Sequence, residues 1–355
     1  MKQYLDLLQN ILDNGIEKES GRDNMPNTIG ISNGIIRMNL QDGFPLLTTK
    51  KMYWKGIIHE LLWFLHGDTN IKYLVDNNVN IWNGDAYRWY LKWWNETQKG
   101  KTKGIPLIET IEQFIEGVKI STGQEYKWGK GSYTIGGLGK VYGFQWRNQN
   151  GVDQIKDLIE GLQKNPYSRY HIIDAWNAAD LKDMALAPCH LLYQFIVRPL
   201  STHERLEYLE FLHYGYNPGY ELGRSNDYYI SFCDNHDIPK FYLSLNMYQR
   251  SCDSACGIPF NLASMSTLLI IIAKTCNMIP RYSKWIGGDI HLYLDHIELA
   301  KEQLKREPFE LPKLFIKKEL HNLDDILSLT IEDFELVGYK SHPAIKYELF
   351  VGLKK

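Results

Sequence analysis

Cysteine is scarce in this chain. Five thiols, Cys189, Cys233, Cys252, Cys256 and Cys276, are spread over 355 residues. So odd and sparse a set argues against a disulfide framework and fits a reducing compartment. Cys252 and Cys256 stand close together, but no second pair follows, so no zinc or other metal site is expected. Net charge is nearly absent as well, with a formal balance of -2. Nucleic-acid binders usually carry a basic surplus to neutralise phosphates, so nucleic acid is not an expected partner. A local basic cluster can still grip one phosphate. Long apolar runs are missing: the longest, residues 268–273, is too short to span a bilayer. The opening MKQYLDLLQNILDNG has a helical rhythm of apolar and charged residues, unlike a signal peptide. These features predict a cytoplasmic protein without a membrane partner. No repeat and no flexible linker is visible.

Hydrophobic residues make up 44% of the chain and charged residues 23%, an ordinary soluble balance with enough apolar content for a large core. Residues 3–14 read as an amphipathic helix with Leu5, Leu8, Ile11 and Leu12 on one side. Residues 30–40 alternate as a strand. Residues 56–66 form a buried helix, and residues 152–164 form another, stopped by Pro166. Strands are expected at 170–177, 190–197 and 240–248, and the most apolar helix at 262–276. Residues 84–135 are rich in Trp, Tyr and Lys, with a helical stretch near 107–119. Residues 199–239 are rich in Tyr, Asn, Asp and His. Both read as insertions into a single α+β domain covering residues 1–355.

Four constellations could carry chemistry. Ala187-Pro188-Cys189-His190 offers a thiol that becomes a nucleophile if a nearby cation favours the thiolate; a buried structural cysteine is the plainer reading. Arg250 beside Ser251 suits a phosphate monoester, and Asn261 can donate to and accept from a pyrimidine edge. A surface arginine and a helix cap explain the same residues. His291 and Tyr293 face one side of a strand and could hold a sugar hydroxyl, or simply fill the core. Glu60, inside the apolar helix HELLWFL, is a candidate acid–base group if buried and a solvent-facing carboxylate if not.

Taken in order, the segments DGFPLLTTKK, HELLWFLHGDTN, NVNIW, GLGKVYGFQWR, NPYSR, AWN, MALAPCH, YQRSCD, GIPFN, GGDIHLY, REPFELPKL and HPAIK resemble the thymidylate synthase family. The resemblance covers most of the chain outside the two insertions. It implies a large mixed β-sheet with flanking helices, dimerising through the sheet face. It implies dUMP as substrate and 5,10-methylenetetrahydrofolate as co-substrate. The Cys189 thiolate would add to uracil C6 and make C5 a carbon nucleophile toward the folate methylene. Proton loss from C5 and hydride transfer from the folate would then leave a methyl group.

By the same resemblance, Glu60 is the acid–base residue, and Tyr142 and His190 line the reactive site. Arg250 and Ser251 hold the phosphate, and Arg250 favours the Cys189 thiolate. Arg22 is a loop arginine of the substrate site, and Arg169 acts across the dimer interface. Gln249 and Asn261 belong to the base site; a branch acting on cytosine nucleotides carries Asp at the latter position, so Asn261 implies dUMP. His291 and Tyr293 contact the ribose. Lys50, Ile81, Trp82, Leu186, Asp253, Gly257 and Phe260 fall to the folate, and Asp253 also to the catalytic group.

The chain departs from the family pattern in four places. The loop after Arg22 reads DNMPNT, Tyr170 replaces a second arginine after Arg169, Cys256 replaces a leucine, and the tail runs on as YELFVGLKK. The family's tail closes over folate and excludes water. An open site would let water, rather than hydride, reach the exocyclic methylene on the base. A hydroxymethylase making 5-hydroxymethyl-dUMP is therefore the alternative, while Trp82 and Leu186 favour a dry site. A catalytically inactive nucleotide-binding relative is a third reading, which the joint presence of Cys189, Glu60 and Asn261 opposes.

Overall fold

The computed structural model describes residues 1–21, 25–97, 106–128, 131–212 and 225–351. Arg22 lies outside them. Its centre is a six-stranded mixed sheet. The strands run Ile16–Lys18, Thr28–Asn39, Ile279–Tyr293, Phe241–Asp253, His190–Pro199 and Ile172–Asp174 across the sheet. Neighbours are antiparallel except the central pair, Phe241–Asp253 and Ile279–Tyr293, which run parallel. A parallel pair needs a crossover, and the helix Gly257–Thr275 supplies it.

That helix is longer than the apolar run within it suggests, and it begins five residues before the expected position 262. Among the described residues it is the one helix long and apolar enough to cross a membrane, yet 67% of that stretch is buried inside the fold. Its hydropathy is that of a core helix, packed against both central strands. Trp54–Leu65 is a second core helix, buried from Gly56 through Leu65.

The N-terminal helix, Lys2–Asn14, buries Tyr4, Leu7, Leu8 and Ile11. The expected face of Leu5, Leu8, Ile11 and Leu12 is therefore rotated. The spacing 4, 7, 8, 11 is the helical one, and Tyr4 leads it because its hydroxyl donates to Ser254 O at 2.9 Å inside the fold. The strand expected at 170–177 is shorter, Ile172–Asp174, and the one at 240–248 extends through the YQRSCD segment to Asp253.

Both segments expected to be insertions hold helices or strands where described. The first holds helices Asn83–Thr97 and Ile111–Ile120 and a hairpin of Glu125–Trp128 with Gly131–Thr134. Its Tyr87, Trp89, Tyr90, Trp93, Phe114 and Tyr133 join the main hydrophobic core. Aromatic packing thus accounts for its composition. The second holds helices Thr202–Leu212 and Asn226–Asn235 around a small core of Leu206, Leu209, Tyr229, Cys233 and Ile238. Buried Arg205 ties it together, bonding Asp234 Oδ1, Ile238 O and Pro239 O.

Candidate active site

The parallel central pair decides where the chemistry sits. YQRSCD ends one strand and GGDIHLY ends the other, so both motifs reach the same edge of the sheet. Register pairs Ser251 with Asp289 and Asp253 with His291. The crossover helix starts at this edge and adds Gly257, Phe260 and Asn261 in its first turns. His190–Pro199 runs antiparallel to Phe241–Asp253, so its beginning lies here too, with His190 opposite Gln249. The register slips between His190 and Leu192, a bulge beside Cys189 of the kind that re-aims a side chain.

These residues line a cavity of about 520 Å³. Cys189, Glu60, Tyr142, His190, Gln249, Ser251, Asp253, Asn261, His291 and Tyr293 all reach it. So do Lys50, Ile81, Trp82, Leu186, Gly257 and Phe260. Strand alternation explains much of this set: 249, 251 and 253 share one face, as do 289, 291 and 293.

Alternation also separates Arg250 from Ser251. Arg250 does not line the cavity. Its Nε and Nη2 donate at 2.8 Å to the carbonyls of Pro188 and Ala187, so the guanidinium braces the loop that carries Cys189. Arg250 N donates to Cys189 O, also at 2.8 Å. Arg169 is exposed and does not reach the cavity of its own chain.

The thiol loop is held from the other side by Tyr142, whose hydroxyl accepts the Cys189 N–H at 2.6 Å. The Tyr142 ring stacks on His190 with centroids 4.3 Å apart. His190 is buried with Nδ1 bonded to the Tyr193 hydroxyl, and burial pushes its pKa down to about 3, so the imidazole is neutral near neutrality. Cys189 is half-buried and carries a reduced thiol. Cys256 also lines the cavity, but burial pushes its thiol up to about 12.

Glu60 is buried on the core helix, and burial pushes its carboxyl up to about 7. Trp82 opposes that shift by donating its indole N–H to Glu60 Oε1 at 2.7 Å. The solvent-facing alternative for this glutamate is excluded. Asn261 is oriented by a chain of side chains. Trp285 Nε1 donates to Gln249 Oε1 at 2.9 Å, and Gln249 Nε2 donates to Asn261 Oδ1 at 3.1 Å. The indole needs Gly287 beside it, since a Cβ there would lie 2.3 Å from the Trp285 ring.

Asp253 lies in the turn that leads into the crossover helix, accepting from Ala255 N and Cys256 N at 2.9 and 3.1 Å. Lys50 donates to Ala255 O at 2.6 Å, and burial pushes its pKa down to about 8. The C-terminal segment lies along the rim: Ile345, Tyr347, Leu349, Phe350 and Val351 line it. Phe350 packs on Tyr293 with centroids 4.7 Å apart. The described part of the tail, through Val351, thus lies against the site.

Several residues at the site were not singled out from sequence: Lys18, Lys51, Asp85, Trp285 and Asp289. Lys18 bonds Asp289 Oδ2 at 2.6 Å, and Asp289 Oδ1 lies 3.5 Å from His291 Nδ1. The one available signal was alternation, which puts Asp289 on the face of His291 and Tyr293. Among the described residues no group of three His, Cys, Asp or Glu side chains could hold a metal ion.

Comparison with known proteins matches residues 2–351 to the family model described as thymidylate synthase. The chain is 42% identical over 353 residues to the thymidylate synthase of Malacoplasma penetrans (strain HF-2), covering 99% of this chain and all of that one. It is 40% identical over 351 residues to that of Mesoplasma florum, with 99% and 100% covered. The Mycoplasma mobile protein of the same name is 42% identical over an equal span. These alignments cover nearly every residue, and so run through both insertions as well as the motif-bearing core. With Cys189, the buried Glu60 and Asn261 meeting in one cavity and a match of this extent, the chain belongs to the thymidylate synthase family.

Proposed function

We propose that this protein is a single catalytic domain that methylates dUMP at C5, giving dTMP, with 5,10-methylenetetrahydrofolate as co-substrate. One observation carries the reading: Cys189, the Glu60–Trp82 pair and the Gln249-oriented Asn261 open onto one cavity. Its volume, about 520 Å³, is in the ordinary range for small-molecule sites. Its donor set suits a folate, with Trp82, Ile81, Leu186 and Phe260 as apolar walls and Lys50 and Lys51 as cations for carboxylates. When bound, the folate supplies the methylene carbon and then a hydride.

The chain's own groups do the rest. Cys189 adds through sulfur to uracil C6, and the C5–C6 electron pair moves to C5. Tyr142 and Arg250 hold the loop so that the thiol meets the base at a fixed position. Asn261 reads the base edge, its oxygen fixed by Gln249, which sets the orientation of its amide nitrogen. Glu60, with a pKa of about 7, can give a proton to the base and take one back through ordered water. The imidazole next to the nucleophile, His190, stays neutral and acts by packing and hydrogen bonding.

Ser251 and Arg22 serve the phosphate, with Arg169 reaching the site of a partner copy in a homodimer, while Arg250 acts by bracing the loop that carries Cys189. His291 and Tyr293 hold the ribose. Asp253 and Gly257 shape the folate end at the start of the crossover helix. The covered rim favours hydride over water at the exocyclic methylene, and so methyl over hydroxymethyl.

Acid-quenched samples taken during turnover, digested and mapped by mass, test the reading. The nucleotide should be found attached to the peptide carrying Cys189, and not in C189A. Turnover by C189A at the wild-type rate would overturn it.

A further inference from the structure

The aromatic insertion has no role in the chemistry just described, yet its first helix, Asn83–Thr97, touches the cavity rim. Arg88 on this helix donates through Nη1 to the peptide carbonyl of Val351. Through Nη2 it bonds the Asp85 carboxylate one turn earlier and, at 3.3 Å, Ala185 O. Gly84 lies four residues before Arg88 and so on the same helix face. A Cβ at Gly84 would meet Val351 Cγ2 at 2.5 Å, so the missing side chain is the seat of the Val351 side chain. Asp85, Leu186 and Val351 line the cavity. Helix, thiol-bearing segment and tail therefore meet at one guanidinium.

We propose that Arg88 is a positioning residue for the reaction: it latches the C-terminal segment over the folate half of the cavity by holding the Val351 carbonyl. The proposal rests on the thymidylate synthase reading and gives the first insertion helix a place in it. Arginine suits the task because its planar fork can bond Val351, Asp85 and Ala185 together, whereas a lysine is a single point of charge. The partner carboxylate of Asp85 fixes the fork before the tail arrives.

The chemical consequence concerns the exocyclic methylene carbon on the base. Hydride at that carbon gives the methyl group and leaves dihydrofolate. Water there gives the hydroxymethyl group, with loss of the water proton, and releases tetrahydrofolate unoxidised. In both cases the exocyclic double bond's electron pair re-forms C5–C6 and expels Cys189 as thiolate. A closed tail excludes water and holds the hydride donor in place.

Arg88→Met keeps the aliphatic stem and removes the donors. Gly84→Val keeps Arg88 and displaces Val351, so it tests the latch even if the first variant folds poorly. Both should raise KM for methylenetetrahydrofolate about ten- to a hundredfold, the effect of losing a charged hydrogen bond. KM for dUMP should stay at its wild-type value, and the hydroxymethyl share of product should rise. Arg88→Lys should recover part of the loss. Independently of turnover, trypsin should cut after exposed Lys346 several-fold faster in both variants, read by mass. Unchanged cleavage in both well-folded variants overturns the latch whatever the wild type makes. Absence of thymidylate from the wild type contradicts the function instead, so the two failures are distinct.

Discussion

The indole N–H of Trp82 lies 2.7 Å from Oε1 of Glu60, inside the fold and at the cavity wall. Burial raises the carboxyl to about 7 and this hydrogen bond holds it from rising further. Replacing Trp82 by Phe removes a donor that favours the ionised form. The pKa of Glu60 should therefore move up, by about one to two units for a hydrogen bond to a charged group. The pH profile of kcat/KM should show its Glu60-dependent limb displaced to higher pH. A limb that stays in place would show that Glu60 is not the titrating group.

The same carboxyl makes stability depend on pH. Its folded pKa of about 7 exceeds the ordinary 4.5, so the folded state holds the proton more tightly than the unfolded state. That contribution is fully present below 4.5 and is lost as pH rises through about 7. Glu60→Gln cannot titrate. Between about pH 4 and pH 8 the stability difference should shift in favour of the glutamine variant by about 3 kcal/mol. Urea unfolding of both proteins at several pH values measures it, and a constant difference would contradict the buried, shifted acid.

Alkylation should distinguish the cysteines. Burial pushes Cys256 and Cys276 up to about 12 and raises Cys252 as well, which leaves those thiols protonated at neutral pH. Cys189 is half-buried and faces the cavity. Iodoacetamide at about pH 7.5 should label Cys189 first, and dUMP should slow that labelling. Peptide mapping in which Cys256 labels first would contradict the assignment of the nucleophile.

Gln249 should govern base recognition without contacting the reacting carbons. Gln249→Leu leaves Asn261 Oδ1 and the Trp285 indole without these partners, and each orphaned group costs about 1–3 kcal/mol. The variant should lose discrimination between uracil and cytosine nucleotides, because nothing then stops the Asn261 amide from turning over. Competition of dCMP against dUMP binding measures it; unchanged discrimination would show that Asn261 is oriented by something else.

Much of this site was legible because its motifs fall where backbone periodicity has strong consequences. His291 and Tyr293 share a strand face by alternation alone, and the lone acid in HELLWFL stood out against an apolar helix. Long-range pairing was harder to read. Nothing in the spacing of Trp82 and Glu60 announces their hydrogen bond, and the chain from Trp285 through Gln249 to Asn261 joins three elements. Adjacency also misleads in a strand: Arg250 and Ser251 are neighbours in sequence and point to opposite faces. Composition showed that residues 84–135 differ from the rest but could not show that their rings join the main core or that Arg88 meets the tail. In the N-terminal helix, counting only aliphatic residues missed Tyr4 and rotated the buried face.

The most direct test is one reaction of the purified protein with dUMP and 5,10-methylenetetrahydrofolate, following dihydrofolate by absorbance and the nucleotide by mass. Dihydrofolate and methylated nucleotide should form in equal amounts, and neither should form with C189A. Hydroxymethylated nucleotide without dihydrofolate, or no turnover at all, would contradict the methylation of dUMP through Cys189.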